Sequence, residues 1–236
     1  MPLDLNPILS RFQHEPALVA HTQSSWFEAC LGKAAAHLEQ IEDKATDAPK
    51  MTGDFWYDPE DWRAIYRPYN IANGVLTIPI KGVLLNNFPW ATGWATGYEY
   101  IWKAFERGMN DSGVRGIALQ IDSPGGMVAG NFDLVDRMFE FRGTKPVRAY
   151  ASEAAYSAAY SIASVADTIT VTRSGGVGSV GVVTMHLDMS AYLENVGLKV
   201  TFIFAGKHKV DGNAYEALPK DVKDRIQERI DALYSE

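Results

Sequence analysis

The stretch VRGIALQIDSPGGMVAGNFDLVDRMFEFRG, residues 114–143, decides the fold. Its first part, VRGIALQID, is a mostly apolar run of the length expected for a buried strand. SPGG breaks that run, and MVAGNFDLVDRMFEFRG returns to helical periodicity. The alternation continues downstream. KPVRAY reads as a strand and SEAAYSAAYSIAS (152–164) as a small-residue helix; DTITVT is a strand and RSGGVGSVG a glycine-rich loop. VVTMHL is a further strand, DMSAYLENVG a helix, LKVTFIFAG a strand and LPKDVKDRIQERIDALYSE a final helix. Repeated β-α units predict a largely parallel sheet with helices on its faces.

Upstream, YNIANGVLTIPIKGVLL places Asn73-Gly74 between two β-prone runs, which signals a hairpin. NNFPWATGWATG follows as a loop and YEYIWKAFERGMND as an amphipathic helix. Residues 1–41 read as helical, with apolar positions at Leu18, Trp26, Phe27, Leu31 and Leu38. Residues 42–68 are polar and broken by Pro and Gly, and are expected to form a linker. KATDAPKMTGD within it is the expected point of proteolytic nicking.

The 236 residues are 47% hydrophobic and 22% charged, enough to bury a substantial core. A net charge of −7 argues against a general nucleic-acid binder. One cysteine, Cys30, excludes an intramolecular disulfide and points to a reducing compartment; its helical setting makes it a small core residue. No apolar run is long enough to span a membrane, and the first residues do not read as a signal peptide, so a soluble intracellular protein is expected.

In open α/β sheets, sites gather where strands end and helices begin. Three turns qualify. IDSPGG (121–126) places glycines between a strand and a helix, where backbone N–H groups attract negative charge and another backbone can come close. RSGGVGSVGV (173–182) resembles a phosphate loop superficially, but no Lys follows the glycines, and Gly175, Gly176, Gly178 and Gly181 do not form G-x-G-x-x-G. FAGKHKVDGNAY (204–215) is expected to follow a buried strand and carries two lysines and a histidine. His14, His21, His37, His186 and His208 lack metal-ligand spacing, so no metal and no cofactor are expected. No G-x-S-x-G elbow occurs. A serine can instead be activated by a lysine held neutral through burial. A lysine just past a buried strand, as VTFIF is expected to be, suits that role.

The ordered set DSPGG, AAYSAAY, GSVGV and GKHKVDG resembles the S49 peptidases. That family includes the signal peptide peptidase A enzymes and the head-maturation proteases of tailed phages. SPGGMVAGNFD and AGKHKVDGNAYEALPKDV are most similar to the phage branch. The resemblance covers residues 71–236 as the peptidase-like domain and leaves 1–70 as an N-terminal helical extension and linker. It implies an α/β fold of the ClpP/crotonase type, built from stacked β-β-α units. It places the nucleophile at Ser157, with alanines where the family usually has glycines. It places the general base at Lys209, with Lys207 as the neighbouring rival, and an auxiliary serine at Ser179. The oxyanion hole falls on the N–H groups of Gly126 and Ala158. The family pattern continues with a further strand and helix, so the domain is expected to lack its last elements.

The resemblance implies a serine endopeptidase with a Ser-Lys dyad. Its expected polypeptide substrates are scaffold and head proteins, itself included. It would act as a homo-oligomer within a procapsid in the host cytoplasm, or in the bacterial cytoplasm as a prophage product, without nucleic-acid or membrane partners. Two alternatives stand beside it: a catalytically silent capsid assembly component, and a crotonase-type acyl-CoA enzyme on the same fold.

Overall fold

The computed structural model describes residues 17–19, 21–45 and 55–236. These divide into two compact units between Gly181 and Val182. No helix among the described residues is long and apolar enough to cross a membrane.

The first unit is built on one sheet. β1 (Ala17–Val19), β2 (Asn70–Ala72), β3 (Val75–Leu85), β4 (Ala95–Gly97), β5 (Gly116–Met127), β6 (Val147–Tyr156), β7 (Thr168–Val171) and β8 (Gly176–Gly178) all belong to it. Its main path runs β2-β3-β5-β6-β7, with the β3–β5, β5–β6 and β6–β7 pairs parallel. The three long strands share a feature. The β3–β5 register shifts between Lys81 and Val83, and the β5–β6 register shifts between Ile121 and Ser123. Beyond the shifts the strands take new neighbours: β4 on β3, β1 on β5 and β8 on β6. Each long strand thus serves two layers, as stacked β-β-α units require.

Local chemistry explains most elements. The β2–β3 hairpin turns on Asn73 and Gly74, at φ 52° and 76°, the left-handed pair that a two-residue hairpin turn needs. In β3, Leu76, Ile78 and Ile80 are fully buried while their neighbours are less so, giving the period-two pattern of a half-covered strand. α2 (Tyr98–Asn110) buries Ile101, Ala104, Phe105 and Met109 along one face. α1 (Ser24–Ala45) buries Cys30 and Ala34, one turn apart, as expected for a cysteine in the core. Burial pushes the Cys30 thiol pKa up. α3 (Asn131–Glu140) and α4 (Ala158–Ala163) follow β5 and β6.

Several expectations are corrected. SPGG does not break β5, which runs through it to Met127. Residues 152–156 extend β6, and only 158–163 are helical, because Ala154 and Ala155 are small enough to lie between β5 and β8. Residues 17–19 form a strand within the segment read as helical. The expected nicking segment lies largely outside the described residues.

The second unit contains α5 (Ser190–Asn195), α6 (Lys220–Tyr234) and, among the described residues, no strand. VVTMHL and LKVTFIFAG were expected as strands. β propensity measures fit to a pleated neighbour, and this unit offers no strand as that neighbour. Their apolar side chains stand exposed, Ile203 at 99% and Met185 at 79%.

Candidate active site

β6 ends at Tyr156, and Ser157 follows at φ 54°, ψ −117°. Such a conformation costs a non-glycine residue about 1–3 kcal/mol and persists only where the surroundings fix it. Here they do. The Ser157 N–H donates to the Gly178 carbonyl at 2.7 Å, and the Ser157 carbonyl accepts from the Ser161 N–H at 2.9 Å, opening α4. The chain therefore turns sharply from strand to helix on a serine. The sequence lacks G-x-S-x-G, yet the backbone makes the strained strand-to-helix turn that motif serves elsewhere. The side chain is 5% exposed, and its Oγ donates to nothing closer than the Gly181 carbonyl at 3.5 Å. That is the outer limit of a hydrogen bond and leaves the hydroxyl weakly engaged.

Four non-glycine residues have positive φ among the described residues: Asn73, Asn87, Ser157 and Ser179. Asparagine tolerates this region through local hydrogen bonding. The strain without that relief falls on the two serines. They are neighbours in space, because Gly178, which accepts from Ser157, immediately precedes Ser179.

The oxyanion candidates flank this turn. Ala158 is the first residue of α4, and N–H groups at a helix start have no partner within the helix. Gly126 lies in β5 opposite Leu84, where a Cβ would meet the Leu84 carbonyl oxygen at 2.1 Å. Only glycine fits there. Gly125, at φ 110°, donates its N–H to the buried Ser123 Oγ at 3.1 Å. Ser123 is paired with Ala155 of β6, so the SPGG segment and the Ser157 turn end the same pair of strands.

Two polar residues here were missed by the sequence reading. Asn131 opens α3 and is fully buried. Its Nδ2 donates to the Ala158 carbonyl at 3.2 Å, and its Oδ1 accepts from Ser161 Oγ at 2.7 Å. It ties the helix after SPGG to the helix after Ser157. An asparagine just past a glycine at a helix start was the available signal. Asn131→Ala is expected to lower stability by about 1–3 kcal/mol, the cost of leaving buried partners unpaired. A denaturation midpoint equal to that of the parent chain would show that the tie carries no weight.

Asp122 was the other omission. Its Oδ1 is buried without a hydrogen-bond partner among the described residues. Burial pushes its carboxyl pKa up, the Glu153 carboxylate adds to this, and Lys81 and the Ala154 N–H oppose it. The folded chain therefore favours the protonated form. The cost is absent below the ordinary value of 3.8, grows as pH rises through the window up to the folded value, and is complete above it. Asp122→Asn is expected to raise the melting temperature at neutral pH, with the gain fading towards pH 3.8. A gain that grew on acidification would contradict this.

Lys209 belongs to the second unit. It lies in the turn after VTFIF, with its N–H on the Gly206 carbonyl at 3.1 Å. The expectation that it follows a buried strand is not met, since that segment forms no strand and Lys209 is itself exposed. Its neighbour His208 is engaged by Asp211, with Nδ1 and Oδ2 2.8 Å apart, and Asp211 is also paired with Arg225 of α6.

The first unit is therefore a parallel-sheet α/β body carrying a strained serine between a glycine-lined strand end and a short helix. Residues 140–236 match the model of peptidase family S49. Head-tail preconnector protein GP5 of Enterobacteria phage P21 is 35% identical over 237 residues, covering 98% of this chain and 47% of that one. Capsid assembly protease C of Escherichia phage lambda is 40% identical over 168 residues, covering 70% of this chain and 38% of that one. The chain thus spans less than half the length of either relative. Among solved structures, an enoyl-CoA hydratase from Shewanella pealeana is similar at a TM-score of 0.37 and 11% identity, over 72% of this chain and 74% of that one.

Proposed function

We propose that this chain is a serine endopeptidase that acts on scaffold and head proteins during phage capsid maturation, with Ser157 as nucleophile and Lys209 as base. The observation that carries the reading is the strained Ser157 turn beside the SPGG strand end. The match of residues 140–236 to peptidase family S49 and the likeness to a capsid assembly protease and a head-tail preconnector support the setting.

The chemistry follows the serine. Ser157 Oγ attacks the carbonyl carbon of a peptide bond while its proton passes to the neutral amine of Lys209. The carbonyl oxygen takes the negative charge and accepts from the N–H groups of Gly126 and Ala158. Donors held in place before the reaction cost no reorganisation when the charge forms, and one such donor is worth about 10²–10³ in rate. The C–N bond then breaks, and the lysine returns its proton to the leaving amine. Water, deprotonated by the same amine, releases the acyl group and restores Ser157. The Ser179 hydroxyl orients the lysine amine. Substrates in this setting are scaffold and head polypeptides and the chain itself. The protein works as a homo-oligomer, in a procapsid within the host cytoplasm.

A fluorophosphonate probe tests this directly. Phosphonylation of Ser157, located by peptide mass, is expected together with cleavage of the scaffold partner by intact mass. An unlabelled chain that binds acyl-CoA would instead support an enzyme of the crotonase type. An unlabelled chain that binds no acyl-CoA would support a silent assembly component.

A further inference from the structure

A strand has two hydrogen-bonding edges, and the neighbours of β5 account for both. β3 holds one edge as far as the Leu84–Gly126 pair. β6 holds the other, and its last pair there is Ser123–Ala155. Two residues further on, β6 has turned away at Ser157. The vacated edge of β5 is taken by β1, antiparallel, through the pairs Val19–Gly125, Leu18–Gly126 and Ala17–Met127. Had β6 continued in register, Ser157 would have stood opposite Gly125. β1 therefore lies in the gap that opens between β5 and the Ser157 turn, against the backbone of Gly126.

We propose that this gap is the slot for an extended polypeptide strand, and that β1 is a resident competitor which a substrate must displace. The inference rests on Ser157 being the peptidase nucleophile. The chemistry of the slot favours a peptide of loose sequence preference. Gly125 and Gly126 present backbone and no side chains, so an occupant is held mainly by main-chain hydrogen bonds, the mode of strand addition. The hold of β1 is short, three residues, whereas a longer peptide strand pairs over more of the edge. β1 is nevertheless kept close, because α1 begins five residues later and buries Cys30 and Ala34 in the core. That tether gives β1 a high effective concentration at the slot. A displacing substrate runs antiparallel to β5, as β1 does. The N-terminal segment then restrains cleavage until a substrate at high local concentration, such as one packed within a shell, outcompetes it.

The test uses the full chain carrying Ser157→Ala, so that binding is read without chemistry. The probe is a fluorescein-labelled synthetic peptide of residues 14–22, HEPALVAHT. Leu18→Pro, which removes a backbone donor from β1, is expected to tighten peptide binding about tenfold or more, because the slot's accessible fraction scales the apparent affinity. Hydrogen exchange gives a second measurement on the chain without a proline. Saturating peptide should speed exchange at residues 17–19 while 125–127 stay protected. Equal affinity with and without Leu18→Pro, no binding to either, or binding that leaves exchange at 17–19 unchanged would each overturn the proposal. Failure of the peptidase reading shows separately, as absent phosphonylation of Ser157 in the parent chain.

Discussion

Ser157→Ala is expected to lower proteolysis by about 10⁴-fold or more, the scale on which loss of a nucleophile acts when the remaining machinery survives. The fold should hardly notice. The two hydrogen bonds that fix the turn use the Ser157 N–H and carbonyl, which alanine keeps. The Oγ contact that is lost, at 3.5 Å to the Gly181 carbonyl, is too long to contribute much. Alanine pays the same backbone strain at φ 54° as serine does. Stability should therefore stay within about 1 kcal/mol of the parent. Ser157→Gly sharpens the argument. Glycine adopts positive φ freely, so this variant should be as inactive as Ser157→Ala yet melt at a higher temperature. Proteolysis of the scaffold partner and thermal melting of the three chains give the comparison. Undiminished cleavage by Ser157→Ala would remove the serine from the mechanism. A lower melting temperature for Ser157→Gly than for Ser157→Ala would mean that the turn is not strained.

That strain was invisible in the sequence, and the reason is instructive. SEAAYSAAYSIAS has the composition of a tightly packed helix, and alanine carries no period that separates strand from helix. Its first five residues became strand because their partners, β5 on one side and β8 on the other, lie far along the chain. SPGG shows the same competition. Glycine in a strand marks either a break or a close approach of another backbone, and here the approach of Leu84 decided it. Elements whose causes are local were legible: the Asn73-Gly74 hairpin, the amphipathic α2 and α6, and the buried strand from Gly116. β1 was not legible at all, since three residues near the start pair with a strand end more than a hundred residues away. In the second unit VVTMHL and LKVTFIFAG are expected as strands and form none, because propensity names no partner and within that unit there is none. The site residues came from ordered motifs. Asn131 acts through tertiary contacts that no motif records, and the unpaired burial of Asp122 Oδ1 is not legible from its place in DSPGG.

Lys209 is the residue on which substitution is most decisive, because it is exposed rather than buried behind a strand. VTFIF is not a buried strand, and what remains is the spacing from Ser157 that the motif resemblance implies. Loss of a general base costs about 10²–10⁴ in rate, so Lys209→Ala should fall by that factor. Lys209→Arg should fall equally far. Arginine keeps the positive charge and much of the reach, but it cannot give up its proton at accessible pH and so cannot accept one from Ser157 Oγ. A purely electrostatic role would leave Lys209→Arg largely active. Lys207→Ala should retain most activity, which separates the two neighbouring lysines. His208 has a different task in the same turn: it meets Asp211, which the Arg225 of α6 also holds, so His208→Ala should slow the reaction only through the position of the loop. The pH profile supplies an independent readout. A histidine base would cut the rate as pH falls through about 6.5, whereas a lysine base gives a single limb on the alkaline side with no such step. Initial rates on one peptide substrate across pH 5–10, for the parent chain, these four variants and His186→Ala, would test every arm. An inactive Lys207→Ala beside an active Lys209→Ala would move the base to the neighbouring lysine. An inactive His208→Ala or His186→Ala, joined to a step near 6.5, would replace the Ser-Lys mechanism with a Ser-His one.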